Sequence, residues 1–371
     1  MRVAIIPPIS NTGEWTLSKH LIAGLRARDV DVKVLHRFAL NRPNIRVFLG
    51  SLLLKHLIKD ESISLVHNVD NLGPFLFRHR NLPVKKVLTV HDIAPVILPA
   101  CYRRVVPDRI LRFDFATLLP RLIENSDLTI ADSYSTMRDL IAKFGVSKKK
   151  LTVIHLGVDT SFFHPRNDYS QVMHKYRLRP GYLLYVGNDS PRKNIKTLIK
   201  AYLSVFQEIP NDLVLIGSIS ESKIQAYINS RGLPSYVKHE AQRRIILPGY
   251  VASADLPHLY SAAAALIFPS LYEGFGLPAL EAMACNAPVV LSNTSSLREI
   301  AGDAGLYIND PLNAEDISGN ILEIINNETL RENLRSKCSQ QAHKFSWETT
   351  VDQTISAYES VLCSQESEDS S

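Results

Sequence analysis

The chain has 371 residues, 45% of them hydrophobic, which is length and apolar content for about two ordinary domains. Its net charge of +5 is unevenly divided, with 24 Lys and Arg against 14 Asp and Glu in residues 1–165 and 18 against 23 in the remainder. Four scattered cysteines exclude a disulfide framework or a zinc finger, and no run approaches the roughly 20 apolar residues of a membrane span.

The start, MRVAIIPPIS, breaks at Pro7 and Pro8 and is no signal peptide, so a cytoplasmic protein, soluble or peripheral on the inner face of a membrane, is expected. Short apolar runs then alternate with helical patterns. RVAIIP (2–7), VDVKVL (30–35), ISLVHN (63–68), KVLTVH (86–91), LTIAD (128–132) and LTVIHLG (151–157) read as buried strands. TLSKHLIAGLRAR (16–28) and SYSTMRDLIAKFG (133–145) read as helices between them. Residues 158–181 are polar, hold two prolines and read as a linker. The alternation resumes at YLLYVG (182–187) and continues through DLVLIG (212–217), RIILPG (244–249), AALIFPS (264–270), APVVLS (287–292) and AGLYIN (304–309). An amphipathic helix over 347–362 and a polar, acidic tail follow. The fold class is α/β, with two Rossmann-like domains and parallel sheets that bind ligands at the carboxyl ends of their strands. The domains predicted are 1–165 and 166–349, with a helix over 350–363 returning to the first domain and a disordered tail over 364–371.

The densest chemistry follows AALIFPS, in LYEGFGLPALEAMACNAPVV. Glu273 lies on the turn, and Glu281 lies about one turn into the helix that Pro278 opens. Gly274 and Gly276 permit a tight turn and close backbone approach to a ligand. A helix start behind such a turn offers free N–H groups to a phosphate or to sugar oxygens. The Glu281 carboxylate can accept two parallel hydrogen bonds from a ribose diol; otherwise it faces solvent on an ordinary helix.

The string EGFGLPALE resembles the paired-glutamate motif of the family-four retaining glycosyltransferases of GT-B fold, also called glycosyl transferases group 1, and the likeness extends over most of the chain. YVGNDSPRKNIKTLIKAY (185–202) is similar to the family's phosphate-binding loop, which implies that Arg192 and Lys193 neutralise the donor's diphosphate. Asn188 stands where many members carry an arginine. KVLTVHDIAP (86–95) places His91 where the family has a histidine near the donor sugar; a satisfied core histidine is the alternative. In the first turn only Gly13 remains of the family's glycine-rich segment.

The resemblance implies a transfer of a hexose from a nucleotide-diphosphate sugar, GDP-mannose first and UDP-sugars behind it, to a glycan or lipid-linked acceptor. It assigns catalysis to His91, Glu273, Arg192 and Lys193, and donor binding to Gly13, Asn188, Gly274, Phe275, Gly276, Leu277 and Glu281. No diphosphate–metal motif of the Asp-X-Asp type is read in the chain and no His/Cys cluster is present, so neither a metal nor another cofactor is expected. Two basic–apolar segments, IRVFLGSLLLKHLIKD (45–60) and CYRRVVPDRILRFDF (101–115), are candidates for an anionic membrane surface, or else sheet-covering helices with basic outer faces; no nucleic-acid module is apparent. The competing readings are a nucleotide-sugar isomerase or epimerase of the same fold and a non-catalytic nucleotide-sugar-binding protein.

Overall fold

The computed structural model describes residues 1–8, 13–35, 62–71, 84–102, 106–230, 232 and 234–366. The segment 45–60 and the arginines at 103 and 104, both raised above for membrane contact, lie outside the described residues.

The chain divides into two compact units, Met1–Gly157 with Phe345–Ser371, and Val158–Lys344. The first holds a six-stranded sheet among its described residues: β1 (Arg2–Ile6), β2 (Asp31–Val34), β3 (Leu65–Asn68), β4 (Lys85–Val90), β5 (Leu128–Ala131) and β6 (Leu151–Val153), in the order β2-β1-β3-β4-β5-β6. The second holds β7 (Leu183–Val186), β8 (Leu213–Ile216), β9 (Ile245–Ile246), β10 (Ala265–Phe268), β11 (Val289–Ser292) and β12 (Gly305–Ile308), in the order β12-β11-β10-β7-β8-β9. All recorded pairings are parallel. Every residue of β3, β5, β8, β10 and β11 is buried, so these strands read as continuous apolar or neutral runs with no alternation, as expected of sheets covered on both faces. The α/β class with parallel sheets is therefore as the sequence indicates.

In the second sheet the chain runs outward from β7 through β8 to β9, then crosses back to β10 and runs the other way. The order reverses between β7 and β10, so the turns that leave these two strands flank a crevice at their carboxyl ends, where open α/β sheets bind ligands.

One local feature differs from expectation. Residues 158–181 are not without structure: Ser170–Tyr176 is a helix that buries Val172 and Met173, too short to give a periodic signal. The helix over the second basic segment spans Val106–Glu124 and puts Phe115, Leu119, Leu122 and Ile123 into the first core, while Phe113 is exposed. Within the first unit, helix Trp347–Glu366 lies against helix Gly13–Arg26. Trp347 stacks on His20 with centroids 4.5 Å apart, Arg28 pairs with Asp352 at 2.5 Å, and the buried Tyr358 hydroxyl meets Nδ1 of His67 at 2.6 Å.

Candidate active site

The turn after β7 runs from Gly187 through a 3-10 turn, Pro191–Lys193, to Asn194, which opens helix Ile195–Val205. Asn194 has φ +58, a conformation that asparagine tolerates better than most residues. Its amide nitrogen donates to the Pro269 and Pro311 carbonyls, at 3.1 and 2.5 Å, and its amide oxygen accepts from Thr197. Leu271 N–H donates to the Arg192 carbonyl at 2.8 Å. The turns leaving β7 and β10 are thus bonded to each other before any charge is considered.

Those bonds set Arg192 and Lys193 against Glu273. Arg192 Nη1 donates to Glu273 Oε2 at 3.0 Å and to the Tyr272 carbonyl at 3.0 Å, and Lys193 Nζ donates to Glu273 Oε1 at 2.6 Å. Lys193 also stands over the Phe268 ring, 4.7 Å from its centroid. Glu273 and Lys193 are both buried. Burial alone would raise the Glu273 carboxyl, but Lys193 and Arg192 beside it hold it below the ordinary carboxylate value. The cluster is one anion gripped by two cations, with a net charge of +1.

Helix Leu277–Ala284 begins after Gly276, whose φ of +114 only glycine adopts easily; a Cβ there would also stand 2.8 Å from Leu297 Cδ2. Gly274, Phe275 and Gly276 are buried and Leu277 is half-buried. Glu281 has a different setting. Its carboxylate accepts from the Tyr260 hydroxyl at 2.9 Å, and among the described residues no cation pairs with it. Burial pushes it up to about 7, partly opposed by the Tyr260 bond. Asn188, by contrast, is exposed; its side chain accepts from Ser190 N–H and its carbonyl accepts from Tyr185.

Gly13 and His91 belong to the first unit. Gly13 is the first residue of helix Gly13–Arg26, and the turn 9–12 before it lies outside the described residues. His91 directly follows β4 and is buried. Nδ1 faces Asp132 Oδ2 at 2.5 Å, and Nε2 faces the Val69 carbonyl at 2.9 Å. Its backbone N–H donates to Asn71, and its carbonyl accepts from Thr136, in the helix that Ser133 caps. Both ring nitrogens face acceptors, so an imidazolium against the Asp132 carboxylate satisfies every contact.

The structure therefore brings Arg192, Lys193 and Glu273 together and gives Glu281 a separate partner in the same unit. Four contributors were absent from the candidate residues. Asn194 ties the turns, Tyr260 holds Glu281, and Ser295 and Ser296 bond to the Glu273 turn. Of these only Asn194 lies in a segment that the sequence singled out, YVGNDSPRKNIKTLIKAY. Among the described residues no group of three or more His, Cys, Asp or Glu is placed to hold a metal ion, and no helix is long and apolar enough to cross a membrane.

Residues 171–345 match the family model described as glycosyl transferases group 1, and residues 15–162 match that of glycosyltransferase family 4. The chain is 32% identical to the O-antigen chain mannosyltransferase B of Escherichia coli, over 95% of this chain and 87% of that protein. It is 29% identical to the serotype-specific mannosyltransferase WbdA of Escherichia coli over 78% of this chain, and the match spans 35% of that longer protein. Among solved structures, sucrose-phosphate synthase from Thermosynechococcus elongatus superposes with a TM-score of 0.79 at 21% identity, over 98% of this chain and 100% of that one, a likeness of GT-B fold.

Proposed function

Because the chain belongs to the group 1, family 4 glycosyltransferases, we propose that it moves a mannosyl group from GDP-mannose to a growing glycan or lipid-linked acceptor, with retention of configuration at the anomeric carbon. The names of its relatives support mannose. The observation that carries the site is the convergence of Arg192, Lys193 and Glu273 where the strand order reverses between β7 and β10.

In this reading the Glu281 carboxylate accepts from the two ribose hydroxyls. The cluster's net positive charge faces the diphosphate, and Arg192 and Lys193 turn from Glu273 toward phosphate oxygens as these gain charge. Glu273 and the N–H groups of Gly274 to Gly276 hold the sugar. The bond from the anomeric carbon to the diphosphate breaks, and a bond to the acceptor oxygen forms on the same face. The acceptor's proton passes to the leaving phosphate. Cations placed at that phosphate lower the barrier because they bind it more tightly as its charge grows.

The test is a hydrolysis screen across nucleotide sugars without acceptor, in which GDP-mannose is expected to be cleaved fastest. Cleavage of none of them, or full turnover by Glu281→Ala, removes the reading. For the acceptor side, the excess of basic residues in 1–165 supports a peripheral contact with anionic membrane. Salt-sensitive binding to anionic vesicles should disappear when Arg103 and Arg104 are changed to Glu, and binding that persists removes that part.

A further inference from the structure

The turn from Tyr272 to Gly276 is buried along its whole length and belongs to no strand or helix, so its backbone polar groups need partners from elsewhere. One partner is Arg192, on the Tyr272 carbonyl. Further partners are two adjacent serines after β11. Ser295 Oγ accepts from Glu273 N–H at 2.9 Å. Ser296 Oγ lies between two carbonyl oxygens, that of Glu273 at 3.0 Å and that of Phe275 at 2.6 Å. Ser296 is fully buried, and Ser295 is held at φ +49, a conformation that costs energy for any residue with a Cβ. Leu297, the next residue, fills the space beside Gly276 that a side chain there would need.

We infer that Ser295 and Ser296 are positioning residues for Glu273: they grip the backbone on either side of its side chain and fix where its carboxylate meets Arg192 and Lys193. The geometry suits that task. A carboxylate bound to two cations by single contacts can swing about its own Cα unless the peptide planes before and after it are held. The serines hold both planes, and neither touches the carboxylate. Strain retained at Ser295 fits a position where Oγ must reach a particular N–H. The inference rests on the reading of Glu273 as a group that meets the donor.

The experiment compares Ser295→Gly, Ser296→Ala and Ser295→Asn with the wild-type protein. Glycine accepts φ +49 and removes the short CH2OH side chain, so Ser295→Gly should melt within about 3 °C of wild type. Its kcat for GDP-mannose hydrolysis should fall about tenfold, since small misplacements of a reacting group cost rate steeply. Its affinity for GDP, gripped by Glu281 and by Arg192 and Lys193, should not fall. Ser296→Ala should show the same split. Ser295→Asn tolerates the backbone and restores an acceptor, and should recover most of the rate. In a Glu273→Gln background Ser295→Gly should cost little more, because a residue acting through Glu273 has nothing left to position. Wild-type kcat in folded Ser295→Gly and Ser296→Ala proteins overturns the inference, as does a full further loss in the Glu273→Gln background. If the wild-type protein binds no nucleotide sugar at all, the failure belongs to the proposed function and not to the serines.

Discussion

The turn that leaves β10 carries a buried glutamate and the helix that follows it a half-buried one, and the two are treated in opposite ways. Glu273 on the turn is met by two cations and is held ionised despite its burial. Glu281 on the helix meets the Tyr260 hydroxyl, and burial pushes it up to about 7. Eight residues separate a carboxylate that is charged at any ordinary pH from one poised to titrate near neutrality. Desolvation decides the Glu281 case, and at Glu273 two cations override it.

The sharpest way to break this contrast is Glu273→Gln. It leaves Arg192 and Lys193 without their anion, and turnover of GDP-mannose should fall on the order of 10²- to 10³-fold. GDP should bind about tenfold more tightly, because the cations are no longer occupied internally. Turnover by this variant at the wild-type rate would mean that the two glutamates are not differentiated by task. Next in size is Lys193→Ala, which leaves a buried carboxylate with Arg192 alone. Urea unfolding should show a loss of about 3 kcal/mol.

The third test uses pH. The raised value of Glu281 means that the fold favours its protonated form. That contribution to stability is complete below pH 4.5 and is lost as pH rises through about 7. Glu273 has the opposite sign: its contribution is present above 4.5 and is lost as pH falls through its lowered value. If ribose binding needs ionised Glu281, GDP affinity should drop about tenfold between pH 8 and pH 6 beyond any change in Glu281→Gln. Identical pH profiles for the two proteins would erase the distinction. The smallest effect belongs to Tyr260→Phe. Losing a bond that favours the carboxylate should move the same midpoint above 7 and weaken GDP binding at neutral pH by about threefold, read by calorimetry.

The strands were legible because sheets covered on both faces force short apolar runs between glycines and prolines. ALIF between Ala264 and Pro269, and LVLI before Gly217, are examples. Their ends were less legible. RIILPG contributes only Ile245–Ile246 and LTVIHLG only Leu151–Val153, since each lies at a sheet edge with one partner strand to extend it. In the site, the helix start at Leu277 could be read from Gly276 and Pro278, because those residue types restrict their own backbone. Asn194 reaching Pro311, Tyr260 reaching Glu281, and Ser296 reaching Phe275 could not, since such bonds join segments far apart in sequence and leave no period in either. Nor does the sequence reveal that Arg192 and Lys193 are engaged by Glu273; it records three charges, and only folding decides that they meet.

Gly157 has a bearing on how the molecule is made. A Cβ there would stand 2.2 Å from the backbone nitrogen of Trp347, so the chain leaves the first unit and re-enters it at one spot. The second unit is therefore an insertion with adjoining ends, and the first is completed from two pieces of chain. On the ribosome, the partner that Tyr358 gives His67 arrives only after the whole of 158–344 has emerged. The inserted unit has all its own residues by then, so it can finish folding while its host still waits for its final helix.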